Sequence, residues 1–99
     1  MSVHKTEESA DRASRVMTIA NKLGIHARPA AMFAKLANQF SCEILVEKDD
    51  ETVNAKSIMG LMMLAAGPGS RIRVQATGAD AAEALAAIET LIEGRFNEE

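Results

Sequence analysis

The stretch RIRVQAT, residues 71 to 77, alternates without a break. Ile72, Val74 and Ala76 fall on one side, and Arg71, Arg73 and Gln75 on the other. A period of two marks a strand that buries one face and wets the other. A sheet built around such a strand carries its helices on the buried side and leaves the opposite side to water. The neighbouring segments fit that plan. VMTIA (16–20) and CEILVEK (42–48) read as strands, the second with Ile44 and Val46 on one face. TVN (52–54) reads as a short returning strand after a tight DDE turn. From Ala27 to about Gln39, Ala30, Phe33, Ala34, Ala37 and Phe40 draw one helical stripe. SIMGLMMLAA (57–66) reads as a short helix without a polar face, with Ile58, Leu61, Met62 and Ala65 as its core stripe and GPG (67–69) as its stop. A last helix opens at Asp80, with Glu83 completing the pattern of a capping box. Leu85, Ile88, Leu91 and Ile92 line it, and Gly94 reads as a left-handed stop. The expected fold is an α+β open-faced β-sandwich of order β-α-β-β-α-β-α, with a four-stranded antiparallel sheet and three helices on one face.

The chain has 99 residues, enough for one domain. Residues 1 to 14 are polar and charged and read as a flexible N-terminal tail, leaving 15–99 as the folded domain. Cys42 is the sole cysteine, which excludes an internal disulfide and a cysteine metal cage and favours a reducing, cytoplasmic setting. Two histidines add too few ligands for a metal centre, and no cofactor is expected. The longest apolar run, within 58–66, is interrupted by Gly60 and is too short to span a bilayer. The first residues lack the apolar core of a signal peptide. A net charge of −3, no Trp or Tyr and three Phe argue against nucleic acid as a partner.

The chemistry concentrates in NKLGIHARPAAM (21–32). His26 stands immediately before a helix, followed by Arg28 and Pro29. A helix start exposes backbone N–H groups without intrahelical partners, and the macrodipole adds positive charge there. That arrangement suits an anion such as phosphate. Pro29 stiffens the first turn, and Arg28 supplies a fork of donors matched to phosphate oxygens. A neutral imidazole is nucleophilic, so His26 could accept a phosphoryl group against a cationic helix end. Read alone, a histidine at a helix cap is more often an ordinary capping or surface residue than a phosphoryl acceptor. The second stretch is VNAKSIMGLMMLAA (53–66). Ser57 reads as an N-cap beside Lys56. Met59 and Met63 lie off the core stripe; they read either as additional core or as part of a docking surface, since methionine recurs on surfaces that accept several partners.

GIHARPA together with VNAKSIMGLMMLAAGPGS resembles the HPr family, the histidine-containing phosphocarriers of the bacterial phosphoenolpyruvate-dependent phosphotransferase system. The likeness spans about residues 15 to 95. It implies that His26 is phosphorylated on its ring by enzyme I and discharged to IIA-type proteins, in sugar uptake or its regulation. It implies that Arg28 contacts the phosphoryl group and that Ser57 is a regulatory phosphorylation site for an HPr kinase/phosphorylase where one exists. It also implies that Lys56, Ile58, Met59 and Met62 belong to a partner-docking surface. On this reading the protein is a relay component, acting as a monomer, rather than a stand-alone enzyme. The ending EGRFNEE resembles the nitrogen-related branch more than the sugar-transporting one. The alternative is a regulatory binding module of the same fold, acting through Ser57 and partner docking; such paralogues are expected to lack the active histidine, and HARPA is intact here.

Overall fold

A computed structural model describes residues 11 to 98. Four strands, β1 (Arg12–Thr18), β2 (Glu43–Lys48), β3 (Glu51–Asn54) and β4 (Arg71–Thr77), form one antiparallel sheet in the order β1-β4-β2-β3. Helices α1 (Ala27–Ala37), α2 (Ile58–Met63) and α3 (Ala81–Glu93) complete the order β-α-β-β-α-β-α, as the sequence pattern predicts. The alternation in β4 is obeyed throughout: Ile72, Val74 and Ala76 are buried, and Arg71 is exposed. They meet Ile44 and Val46 of β2 and Ala13 and Met17 of β1 in the core. Phe33, Ala34 and Ala37 of α1 and Leu85, Ile88 and Ile92 of α3 close it from the helical side. Each large apolar side chain buried this way contributes roughly 1.5–3 kcal/mol.

Strand β1 begins earlier than the apolar pattern suggests. Arg12, Ala13 and Ser14 pair with Thr77, Ala76 and Gln75, and Ala13 is only 3% exposed. These three residues therefore belong to the sheet and not to a tail. Ladder hydrogen bonds are made by backbone, so a polar composition does not stop an edge strand from pairing. The expectation of a flexible tail over residues 1 to 10 lies outside the described residues.

Three further details depart from the sequence pattern. Helix α2 stops at Met63, because Leu64 caps it and Ala65 takes a left-handed φ of 52°. Only Leu61 of its residues is buried, so Ile58 and Met62 are not core, and Ala65 is exposed. Asp80 does not cap its own helix. Its carboxylate accepts from Ser41 N–H at 2.8 Å and Cys42 N–H at 2.9 Å, tying the start of α3 to the entry of β2. Those bonds, the Ser41 one foremost, hold Asp80 below the usual carboxylate range, while burial and Asp80 push the Cys42 thiol up to about 11. Gly94 ends α3 with φ −81°, not in the left-handed form, and the reversal falls on the next residues instead.

That reversal is a short turn over Arg95–Asn97, with φ of 58°, 54° and 61° in succession. Left-handed backbone costs about 1–2 kcal/mol per L-residue, with asparagine the most tolerant of the three. Burial offsets the cost. Phe96 is fully buried, and its ring lies against that of Phe33 with centroids 6.5 Å apart. The turn brings the end of the chain back onto the start of α1.

Candidate functional site

The loop before α1 is shaped by two contacts. Gly24 has φ 71°, and a Cβ there would sit 2.4 Å from the Ala66 carbonyl oxygen, so the position demands glycine. Ile25 N–H donates to that same carbonyl at 2.9 Å. Asn21, fully buried, donates from Nδ2 to Gly24 O at 2.8 Å and closes the loop. The next residue but one, His26, is the N-cap of α1 with extended backbone and no side-chain capping bond. Its ring is left to other work. No acidic residue occupies the first turn, and Pro29 is buried within it. The N–H groups of Ala27 and Arg28 point out of the helix start without intrahelical acceptors.

His26 and Arg28 come together at one point, on a residue the sequence pattern does not single out. His26 Nε2–H donates to Glu98 Oε2 at 3.1 Å, with Oε1 at 3.4 Å. Arg28 Nη1 donates to Oε2 at 3.3 Å, and Asn21 Nδ2 to Oε1 at 3.0 Å. The Asn21 amide above all, with His26 and Arg28, holds the Glu98 carboxyl below the usual range, so it is ionised at neutral pH. An ionised carboxylate only accepts. In the neutral imidazole the proton is therefore on Nε2, and Nδ1 bears the lone pair. The His26 side chain is 38% exposed, open enough to meet a partner. Asn21 Oδ1 is buried and has no hydrogen-bond partner among the described residues.

The second predicted stretch lies along the neighbouring helix. Ser57 is the N-cap of α2, its Oγ accepting from Gly60 N–H at 3.0 Å. Lys56 Nζ donates to Phe40 O at 2.8 Å, so its ammonium is spent on the end of α1 rather than on Ser57. Asn38 Nδ2 reaches Lys56 O at 3.2 Å. The start of α1 thus adjoins Ala66, and its end adjoins Lys56. The two helices run antiparallel, with Ser57 about one length of α1, ~16 Å, from His26. Between them lies an apolar surface: Ile58 and Met62 are about half exposed, Met59 73% and Met63 72% exposed, and Leu23 71% exposed.

Neither Asn21 nor Glu98 figures in the sequence reading. The Asn-x-x-Gly spacing of 21 to 24 is a local sign of a side-chain-closed turn. Glu98 stands 72 residues from His26 and has no local signal. The nearest hint is Phe96, a lone large apolar residue in a polar ending.

A small open-faced α+β sandwich that presents a half-exposed histidine on a helix cap, beside an uncovered apolar helix, has the form of a carrier that works against partner surfaces. The comparisons name the class. The family model described as PTS HPr component phosphorylation site matches residues 13–94. The phosphocarrier protein HPr of Neisseria meningitidis serogroup A is 54% identical over 80 residues, which cover 81% of this chain and 90% of that one. An HPr-like protein Crh from Halalkalibacterium halodurans is 54% identical over 72 residues, 73% of this chain and 86% of the relative. The crystal structure of HPr-C-His from Thermoanaerobacter tengcongensis superposes with a TM-score of 0.84 at 49% identity, covering 87% of this chain and 97% of that chain. The chain belongs to the HPr family, the phosphocarrier proteins of the phosphotransferase system. No helix among the described residues is long and apolar enough to cross a membrane.

Proposed function

We propose that this protein carries a phosphoryl group on His26, accepting it from phospho-enzyme I and passing it to IIA-type proteins in the cytoplasm. The observation that carries the reading is the His26 ring itself: an imidazole at the N-cap position that makes no capping bond, 38% exposed, with Nε2 held by a carboxylate and Nδ1 left with its lone pair. Phosphoryl transfer asks mainly for positioning and charge stabilisation. The unpaired N–H groups at the start of α1 and the Arg28 guanidinium, 57% exposed and paired with Glu98 beside the ring, supply the second. The partner supplies the donor or acceptor and excludes water.

Incubation with phosphoenolpyruvate and a cognate enzyme I should label the protein with an acid-labile, alkali-stable phosphoryl group. His26→Ala should take no label. Undiminished labelling of that variant refutes the proposal. Arg28→Ala should fold normally and accept phosphate about tenfold more slowly, equivalent to ~1.4 kcal/mol of barrier; transfer at the parental rate would remove Arg28 from the site.

The apolar surface of α2 serves as the docking face, with Ile58, Met59 and Met62 at its centre and Lys56 at its edge. Ser57, at the far end of that face, is the regulatory position. A phosphate there would set about −1.5 to −2 charges beside residues that must lose water on docking. The identity to an HPr-like protein Crh favours a regulatory branch of action beside the relay. The intact His26 motif makes the relay the primary one.

A further inference from the structure

The C-terminal turn is an unusual device to find against a helix cap. Three consecutive left-handed residues, one of them the buried Phe96, place a single carboxylate on the Nε2 atom of His26. Asn21 and Arg28 grip the same carboxylate from two sides, so its position does not depend on one contact. We propose that Glu98 is a positioning residue for phosphoryl transfer: its carboxylate holds the His26 ring with the proton on Nε2, so that Nδ1 is the nitrogen that attacks phosphorus. This rests on the reading of His26 as the phosphoryl acceptor.

The logic is that of any histidine oriented through its second nitrogen. The partner on one ring nitrogen fixes both the tautomer and the plane of the ring. In the forward step the Nδ1 lone pair forms the N–P bond while the bond from phosphorus to the donor breaks and its electron pair leaves with the donor. The product ring carries phosphorus on Nδ1 and keeps its proton on Nε2, so it is cationic. Glu98 faces that charge across 3.1 Å. The same contact serves the discharge step. A ring that stays protonated on Nε2 departs as neutral imidazole when the N–P bond breaks, whereas one stripped of that proton would have to leave as an anion. Glu98 thereby keeps the phosphorylated carrier reactive in both directions. Asn21 acts one step behind, holding Glu98 and, through Gly24 O, the loop that presents the histidine.

The test uses the full chain and two readouts. The first is the ring 15N spectrum of His26 at neutral pH, which reports which nitrogen carries the proton. The second is the rate of labelling by phosphoramidate, a small donor whose ammonia leaves as the phosphoryl group moves to the ring. The parent should show the Nε2–H form and label on Nδ1. Glu98→Ala should show a mixed tautomer and label about tenfold more slowly, the usual scale for removing the partner of a working histidine. Glu98→Gln, whose carbonyl oxygen can accept from Nε2–H in the same place, should recover most of the tautomer signal and fall between the two in rate. Both variants should stay fully folded at the assay temperature, because Phe96 anchors the turn, with a Tm a little below the parent's since the bonds of the Glu98 carboxylate are weakened or lost. An unchanged tautomer in Glu98→Ala, or an unchanged labelling rate, overturns the role given to Glu98. If instead the parent takes no label from phosphoramidate or from enzyme I, the reading of His26 as acceptor is what fails.

Discussion

Replacing Phe96 by alanine tests whether the end of the chain is truly part of the core. Phe96 lies beyond the last helix, in a short turn among polar residues. Yet its side chain is fully buried and its ring rests on Phe33, also fully buried. Removing a buried phenylalanine costs about 3–5 kcal/mol from lost transfer energy and the cavity left behind. Loss of the ring pair lies within that range. The strain of the left-handed turn is not relieved in the folded form, because alanine at a φ of 54° is strained too, so little is regained unless the turn comes undone. A loss of ~4 kcal/mol corresponds to a fall in Tm of about 20 °C for a domain of this size. Urea unfolding followed by far-ultraviolet circular dichroism measures it directly. The midpoint should drop with the slope unchanged, since the surface exposed on unfolding is nearly the same. The variant should also show the mixed His26 tautomer expected of Glu98→Ala, because the turn that delivers Glu98 has lost its anchor. A loss below about 1 kcal/mol would mean that the ending is not docked as described, and the account of Glu98 would fall with it.

Deleting residues 1 to 10 should leave Tm unchanged, whereas a chain starting at Ser14 should lose about 2 kcal/mol, since it gives up the Arg12–Thr77 and Ala13–Ala76 pairs and the buried Ala13 methyl; equal Tm values would place the domain boundary after Ala13. Ser57→Asp should accept phosphate from enzyme I several-fold more slowly but label normally with phosphoramidate, because Ser57 lies at the far end from His26 of the surface proposed for docking; slowing with both donors would show that the effect is not on docking. Asp80 has its folded pKa lowered by the Ser41 and Cys42 N–H groups, so its contribution is whole above about pH 4 and is lost as pH falls through the lowered value. Asp80→Asn should therefore be less stable than the parent at neutral pH and converge with it in strong acid; a difference that persists unchanged at pH 2 would contradict the assignment. Cys42, with its thiol pushed up to about 11, should react with iodoacetamide at pH 8 at a small fraction of the rate of an open thiol, and reach the full rate only on unfolding.

Much of the molecule is legible from local pattern. The alternation of β4, the stripe of α1 and the placement of His26, Arg28 and Pro29 at a helix start all follow from periods of two and 3.6 and from the chemistry of helix ends. Other elements are not legible in that way. Nothing in RAS announces that Arg12 begins a strand, because its place depends on β4 offering a free edge. SIMGLMMLAA has no polar face and its spacing puts Ile58, Met62 and Ala65 on a core stripe with Leu61, yet the fold leaves that face without a covering layer, and only Leu61 of the four is buried. Asp80 looks like a helix cap, but its carboxylate makes no bond to its own helix and accepts instead from the Ser41 and Cys42 N–H groups, which lie far away in sequence.

The sequence by itself determined the layers of this protein and set at a helix start the histidine proposed to carry the phosphoryl group, since both are written in spacings of a few residues. Only the tertiary structure decided how that residue is held. The proton on Nε2 depends on Glu98, and Glu98 reaches His26 only because Phe96 is buried against Phe33 and the backbone between them is forced left-handed. The contact joins residues 72 positions apart, and no local preference encodes it; it exists because a packed core outweighs the strain of the turn that makes it.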